Sequence, residues 1–71
     1  MTVTIDEATE QQMTQTISRW EERLLEAKRN GWDFEARQFS GWLFGLERGL
    51  GLLGLDDLAQ KAIAAQRDSG A

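Results

Sequence analysis

The chain has 71 residues, contains no cysteine, histidine or proline, and carries a formal net charge of −4. A domain this short buries only about 60% of the surface of its unfolded chain, and without cysteine and histidine it has neither disulfides nor the usual zinc ligands. The acidic balance gives no overall field that attracts phosphate backbones, so it argues against nucleic acid and favours protein partners, including a second copy of the chain.

The first predicted helix covers residues 4–30. Thr4 and Glu7 form a T-x-x-E capping box at its start. Five apolar residues then recur at steps of four and three, as in a heptad seam: Met13, Ile17, Trp20, Leu24 and Ala27. Asn30-Gly31 is predicted to end the helix in a left-handed cap.

The second predicted helix covers residues 33–51, with Asp33 as its N-cap. Its seam residues are Ala36, Phe39, Leu43, Leu46, Leu50 and Leu53. This seam predicts an antiparallel hairpin with the first helix. Trp42 widens the apolar stripe, and Phe44 and Leu52 fall on its far side, so the second helix is expected to contact something besides the first.

A break is expected between Gly51 and Leu55, because glycines weaken the end of the second helix. A third helix is predicted over residues 56–67, capped by Asp56 or Asp57. Its apolar face consists of Leu55, Leu58, Ala59, Ala62, Ile63 and Ala65. The sequence therefore predicts one all-α domain over residues 1–71: an antiparallel helical hairpin plus a short C-terminal third helix, assembling as a dimeric helical bundle.

Three glycines at steps of four form a groove along the second helix, close to Phe34 and Leu52. We expect self-association or partner docking there, and two alternatives are open: the third helix folds back into the groove, or the spacing is chance. The predicted interface consists of Phe34, Gly41, Trp42, Phe44, Gly45, Arg48, Gly49 and Leu52. Arg48 is expected to reach solvent or an acidic residue of a neighbouring chain.

The tryptophans have two expected roles. Trp20 and Trp42 lie in the seam or at its margin, which favours core packing. Trp32, at the hairpin turn, is a candidate partner anchor, with plugging the end of the bundle as the alternative.

Catalysis is not expected, because the chain has no histidine, cysteine or tyrosine to act as base or nucleophile. No cofactor or metal site is predicted. The first hypothesis is a cytoplasmic, self-associating protein-interaction module, acting as adaptor, assembly factor or inhibitor. Small acidic proteins of this kind occur among phage and mobile-element products.

Two alternatives come from other classes. A nucleic-acid regulator would use the basic residues of the first helix, namely Arg19, Arg23, Lys28 and Arg29. A peripheral membrane protein would use the apolar tract 39–55. The hairpin outline is similar to that of secreted WXG-type hairpins and plasmid-regulator bundles, but the turn Gly31-Trp32-Asp33-Phe34 lacks the tryptophan-any-glycine motif, so no residue roles are carried over.

Overall fold

The first helix, α1, spans Glu7–Asn30 in the computed structural model, which describes the backbone of residues 4–70 and the side chains of residues 4–67. Its N-cap is Asp6, whose Oδ1 accepts a hydrogen bond from the Thr9 amide at 2.7 Å. The predicted Thr4 cap is therefore wrong. A carboxylate forms a charge-assisted bond to the amide and gains from the helix dipole, which a threonine hydroxyl does not.

The end of α1 is a left-handed glycine cap, as predicted. Gly31 has φ 71° and ψ 24°. Its amide donates to the Lys28 carbonyl at 3.3 Å, and the Trp32 amide donates to the Ala27 carbonyl at 2.8 Å. This pair of bonds is a Schellman motif, which satisfies carbonyls that the last turn of a helix would otherwise leave free.

The second helix, α2, spans Asp33–Leu52, and its N-cap residue is Trp32. The Ala36 amide donates to the Trp32 carbonyl at 2.9 Å, and no side-chain hydrogen bond caps the helix. The predicted Asp33 cap is therefore wrong, because the tight turn leaves only Gly31 and Trp32 between the two helices, and Gly31 already caps α1. Asp33 lies in the first turn instead, where its charge favours the helix dipole.

The break after α2 falls within the predicted segment and repeats the Schellman geometry. Gly54 has φ 79°. The Leu55 amide donates to the Leu50 carbonyl at 2.9 Å, and the Gly54 amide donates to the Gly51 carbonyl at 3.1 Å. Two glycines in the left-handed region thus set both turns of the fold.

The third helix, α3, spans Asp56–Gly70 and packs against both other helices. All three helices contribute to one core, made of Ile17, Leu24, Leu43, Leu50, Leu58, Ala59, Ala62 and Ala65. Leu24 and Leu43 are fully buried in it. The prediction that Leu53 belongs to the seam of α2 is wrong, because Leu53 follows the last residue of α2 and is 44% exposed.

Among the described side chains, two hydrogen bonds join α3 to its neighbours. The Lys61 ammonium donates to the Thr14 hydroxyl of α1 at 3.4 Å, and the Gln66 amide donates to the Ser40 hydroxyl of α2 at 3.3 Å. The molecule measures 40 × 20 × 17 Å along its principal axes. Over residues 4–70 every regular element is a helix and no strand occurs, so the all-α prediction is confirmed.

Candidate protein-interaction surface

One side of α2 faces away from the other two helices. Leu43 and Leu50 point into the core. At about 100° per residue, Gly41 and Gly45 lie on the opposite side of the helix. We call this side the α2 outer face, and it comprises the eight predicted interface residues: Phe34, Gly41, Trp42, Phe44, Gly45, Arg48, Gly49 and Leu52.

Large apolar side chains of the α2 outer face are exposed. Phe34 is 74% exposed and Leu52 is 85% exposed, and Phe44 and Trp42 follow at 52% and 45%. Phe34 and Leu52 are five helical turns apart, so they share one angular position and are separated by roughly 27 Å along the axis. Single exposed apolar residues are ordinary, whereas a set of large ones on one helix face is typical of an interface.

The glycines form an open floor between Phe34 and Leu52. Apart from the adjacent residues and the backbone of the same helical turns, no described residue would place an atom within 4 Å of a Cβ atom at Gly41, Gly45 or Gly49. The alternative in which the third helix fills the glycine groove is therefore wrong. Helix α3 packs on the core side instead, where Ala59 and Ala62 are buried in the cluster that contains Leu43.

The open glycines lower the stability of the isolated chain. Each glycine inside a helix costs about 0.5–1 kcal/mol relative to alanine. Gly41, Gly45 and Gly49 together cost about 1.5–3 kcal/mol, a large share of a native stability of roughly 5–15 kcal/mol. Nothing within the described chain requires them, because space for a side chain is available at all three positions.

Aromatic and cationic groups flank the glycine floor on both sides. The Trp42 ring lies 5.5 Å from the Trp20 ring and 5.0 Å from the Phe39 ring, between centroids. This cluster fixes Trp42 while leaving nearly half of it exposed. On the other flank the Arg48 guanidinium carbon lies 5.9 Å from the centroid of the Phe44 ring, a cation–π arrangement.

Trp32 is 48% exposed at the turn between α1 and α2. Its backbone is held by hydrogen bonds to the ends of both helices. The fixed backbone and the half-exposed ring are compatible with a partner anchor, and this role stays a prediction.

The basic residues of α1 do not form one face. Arg19 and Arg23 are about 40° apart on the helix, but Lys28 is about 140° from Arg23. Glu22 and Glu26 lie at angles between those of Arg19 and Arg29, so carboxylates interrupt the basic surface.

Sequence reasoning missed two residues of the same surface. Arg37 and Gln38 are both exposed, and their helical angles place them within about 60° of Phe34. The 3.6-residue period contains this information, but the predicted interface consists of apolar residues, glycines and Arg48. Both residues extend the α2 outer face with polar groups on either side of the glycine floor.

Among residues 4–67, whose side chains the structure describes, no three acidic side chains are grouped so that they could hold a metal ion. Within the same range no helix combines the length and the apolar character needed to cross a membrane.

Comparison of the chain with protein families, curated proteins and solved structures finds no significant match.

Proposed function

We propose that the protein is a non-enzymatic protein–protein interaction module that self-associates and acts on a partner protein as adaptor, assembly factor or inhibitor. One observation carries the proposal. Four large apolar side chains stand exposed around a glycine floor that no described residue covers. A surface of this composition gains free energy when another protein surface removes it from water.

The small size of the chain supports self-association in particular. A chain of 71 residues without cysteine or histidine lacks the disulfides and the usual zinc sites that stabilise other domains of this size. Burial of the α2 outer face against a second copy would add the apolar contacts that the core of one chain does not supply. In this proposal α1 and α2 form an antiparallel hairpin in each copy, with α2 central in the assembled bundle.

The partner protein is proposed to meet the assembled module at Trp32. Half of this ring is exposed, and it lies at the turn rather than on the α2 outer face. Tryptophan is strongly enriched among the residues that dominate binding energy at interfaces. The absence of cysteine supports a cytoplasmic location for this encounter.

The first test is the solution mass by light scattering across a dilution series. The wild type is expected to be a dimer that dissociates only at high dilution. The double variant Phe34→Ser/Leu52→Ser is expected to be a folded monomer, because both side chains are exposed in the single chain. Leu25→Ser is the matched control: Leu25 is exposed on α1, and its replacement should leave the dimer intact.

Two results would overturn this proposal. A wild type that stays monomeric at all concentrations removes the self-association. Wild-type protein that co-sediments with phospholipid vesicles, while the double variant does not, would assign the α2 outer face to a membrane surface instead. The partner protein should bind to the wild type and to Leu25→Ser, but it should not bind to Trp32→Ala.

A further inference from the structure

We infer that two copies of the chain pair through an antiparallel contact of α2 with α2, centred at the level of Leu43. The inference rests on the proposed self-association and adds its symmetry and register. In a two-fold symmetric contact, residue i of one copy meets residue j of the second copy, and residue j then meets residue i. A helix that pairs with itself in antiparallel orientation must therefore carry a self-complementary pattern about one level.

The α2 outer face has such a pattern. Gly41 and Gly45 lie at equal distances from the level of residue 43, and so do Phe34 and Leu52. Antiparallel pairing about this level places Gly41 opposite Gly45 of the second copy. It also places Phe34 opposite Leu52 of the second copy. The small residues then meet at the centre and the large apolar residues meet at both ends.

Angular positions agree with this register. Phe34 and Leu52 share one helical angle, and Gly41 and Gly45 lie about 20° to either side of it. All four residues therefore face the same direction, away from the core. The glycines allow the two backbones to approach closely at the centre of the crossing, because no side chain separates them.

The flanking aromatic residues are also placed symmetrically. Trp42 and Phe44 lie one residue on either side of the centre and on opposite flanks of the glycine floor. The two-fold axis brings Trp42 beside Trp42 of the second copy on one flank, and Phe44 beside Phe44 of the second copy on the other. Both rings are about half exposed in the single chain, so both have surface left to bury.

The ends of the contact are compatible with a shallow crossing of the two helices. Phe34 lies nine residues from the centre, roughly 13.5 Å along the axis. A shallow crossing of about 20° displaces the two helices sideways by about 5 Å at that distance, so Phe34 and Leu52 of the second copy can lie side by side. Arg37 and Arg48 of the second copy then lie near each other at the rim, where water and salt screen their repulsion.

The area of the α2 outer face is sufficient for a dimer. A whole aromatic side chain presents about 200 Å², so the exposed parts of Phe34, Trp42 and Phe44 amount to about 340 Å² per copy. Leu52 and the glycine backbone bring this to about 500 Å², which is about 1,000 Å² for two copies. If a second copy covers all of this surface, the contact reaches the lower limit of about 1,000 Å² for a biological interface.

Distances between spin labels test the register directly. Because the chain contains no cysteine, one introduced cysteine gives one spin label per copy. Asp33→Cys and Gln38→Cys are both at exposed positions. Pulsed electron resonance on the antiparallel dimer should give separations along the axis of roughly 30 Å for the label at 33 and roughly 15 Å for the label at 38.

Other arrangements give different distances. A parallel in-register pair gives both labels an axial separation of zero, so the fall of about 15 Å along the axis is absent. Contact through α1 or α3 puts further helices between the two copies of α2, which adds about 10 Å or more of lateral separation, so the label at 38 then gives a distance well above 15 Å. Either result overturns the antiparallel register while the self-association itself stands. A monomeric wild type by light scattering, with no dipolar coupling in either labelled variant, refutes the proposed self-association instead.

The label at 38 lies on the α2 outer face and could itself disturb the dimer, so a third labelled position serves as a control. Glu35→Cys is exposed about 100° from the centre of this face, and the register predicts an axial separation of roughly 24 Å for it. If the label at 38 abolishes the dimer, the labels at 33 and 35 must still differ by roughly 6 Å. A difference of zero between these two labels contradicts the antiparallel pairing.

Discussion

Replacement of Gly45 by leucine is expected to act in opposite directions on the single chain and on the dimer. Apart from the adjacent residues and the local helix backbone, no described residue lies within 4 Å of a Cβ atom at this position, so the single chain has space for the new side chain. Leucine is a far better helix former than glycine. The free energy of unfolding of the monomer should therefore rise by about 0.5–1 kcal/mol, with Leu24 and Leu43 still in contact.

The dimer should respond in the other direction. A leucine side chain at the point where two backbones approach closely causes overpacking, which costs roughly 1–3 kcal/mol. At 1.4 kcal/mol for each factor of ten, the dissociation constant should increase by roughly 5- to 150-fold. Analytical ultracentrifugation gives the dissociation constant, and urea unfolding at a concentration far below it gives the stability of the monomer.

Gly51→Leu is the matched control. Gly51 also lies in α2 and is open to solvent, but its helical angle is about 100° away from the centre of the α2 outer face. It should show the gain in monomer stability without the loss of the dimer. An unchanged dissociation constant for Gly45→Leu would refute the glycine crossing, and a monomer destabilised by Gly45→Leu would refute the open floor.

Three further predictions concern the fold. Leu43→Ala removes a fully buried side chain and should lower the free energy of unfolding by about 2–5 kcal/mol in urea titrations, and a loss below about 0.5 kcal/mol would mean that the core is misassigned. Gly54→Ala forces a β-carbon into the left-handed region at φ 79° and should lower the free energy of unfolding by about 1–2 kcal/mol, whereas Gly51→Ala should not lower it. Hydrogen bonds from the side chain and the backbone amide of Thr9 hold the pKa of Asp6 below its ordinary value of 3.8. The stability that this carboxylate contributes is therefore present above pH 3.8 and is lost as the pH falls below 3.8. Asp6→Asn keeps the cap at neutral pH and should flatten the decline of the thermal midpoint below pH 3.8, and an unchanged decline would contradict the assigned cap.

Much of the fold could be predicted from local patterns. The seam of α1 follows from its steps of three and four, and its members Ile17, Leu24 and Ala27 are buried. The turn at Gly31 follows from glycine chemistry, because few other residues adopt φ 71° without strain. The seam and the turn depend on residues that are close in sequence, so the periodicity and the turn residues predict them directly.

The caps were harder to predict because several neighbouring residues were chemically suitable. Thr4 and Asp6 are both good N-cap residues, and the position of the first helical turn decided between them. At α2 the tight Schellman turn left Trp32 as the cap in spite of its poor capping chemistry. In both cases the geometry of the neighbouring turn selected the cap residue.

The sequence by itself determined three helices, two glycine turns, and an α2 with apolar residues on both sides. It left open which neighbour would cover the glycine floor, since the alanine-rich α3 was chemically suited to it. Only the tertiary structure decided this: Ala59 and Ala62 pack beside Leu43, because one short helix cannot bury its apolar face on the core and on the outer face at once. The α2 outer face is consequently exposed in the single chain, and its self-complementary order is what a second copy would recognise.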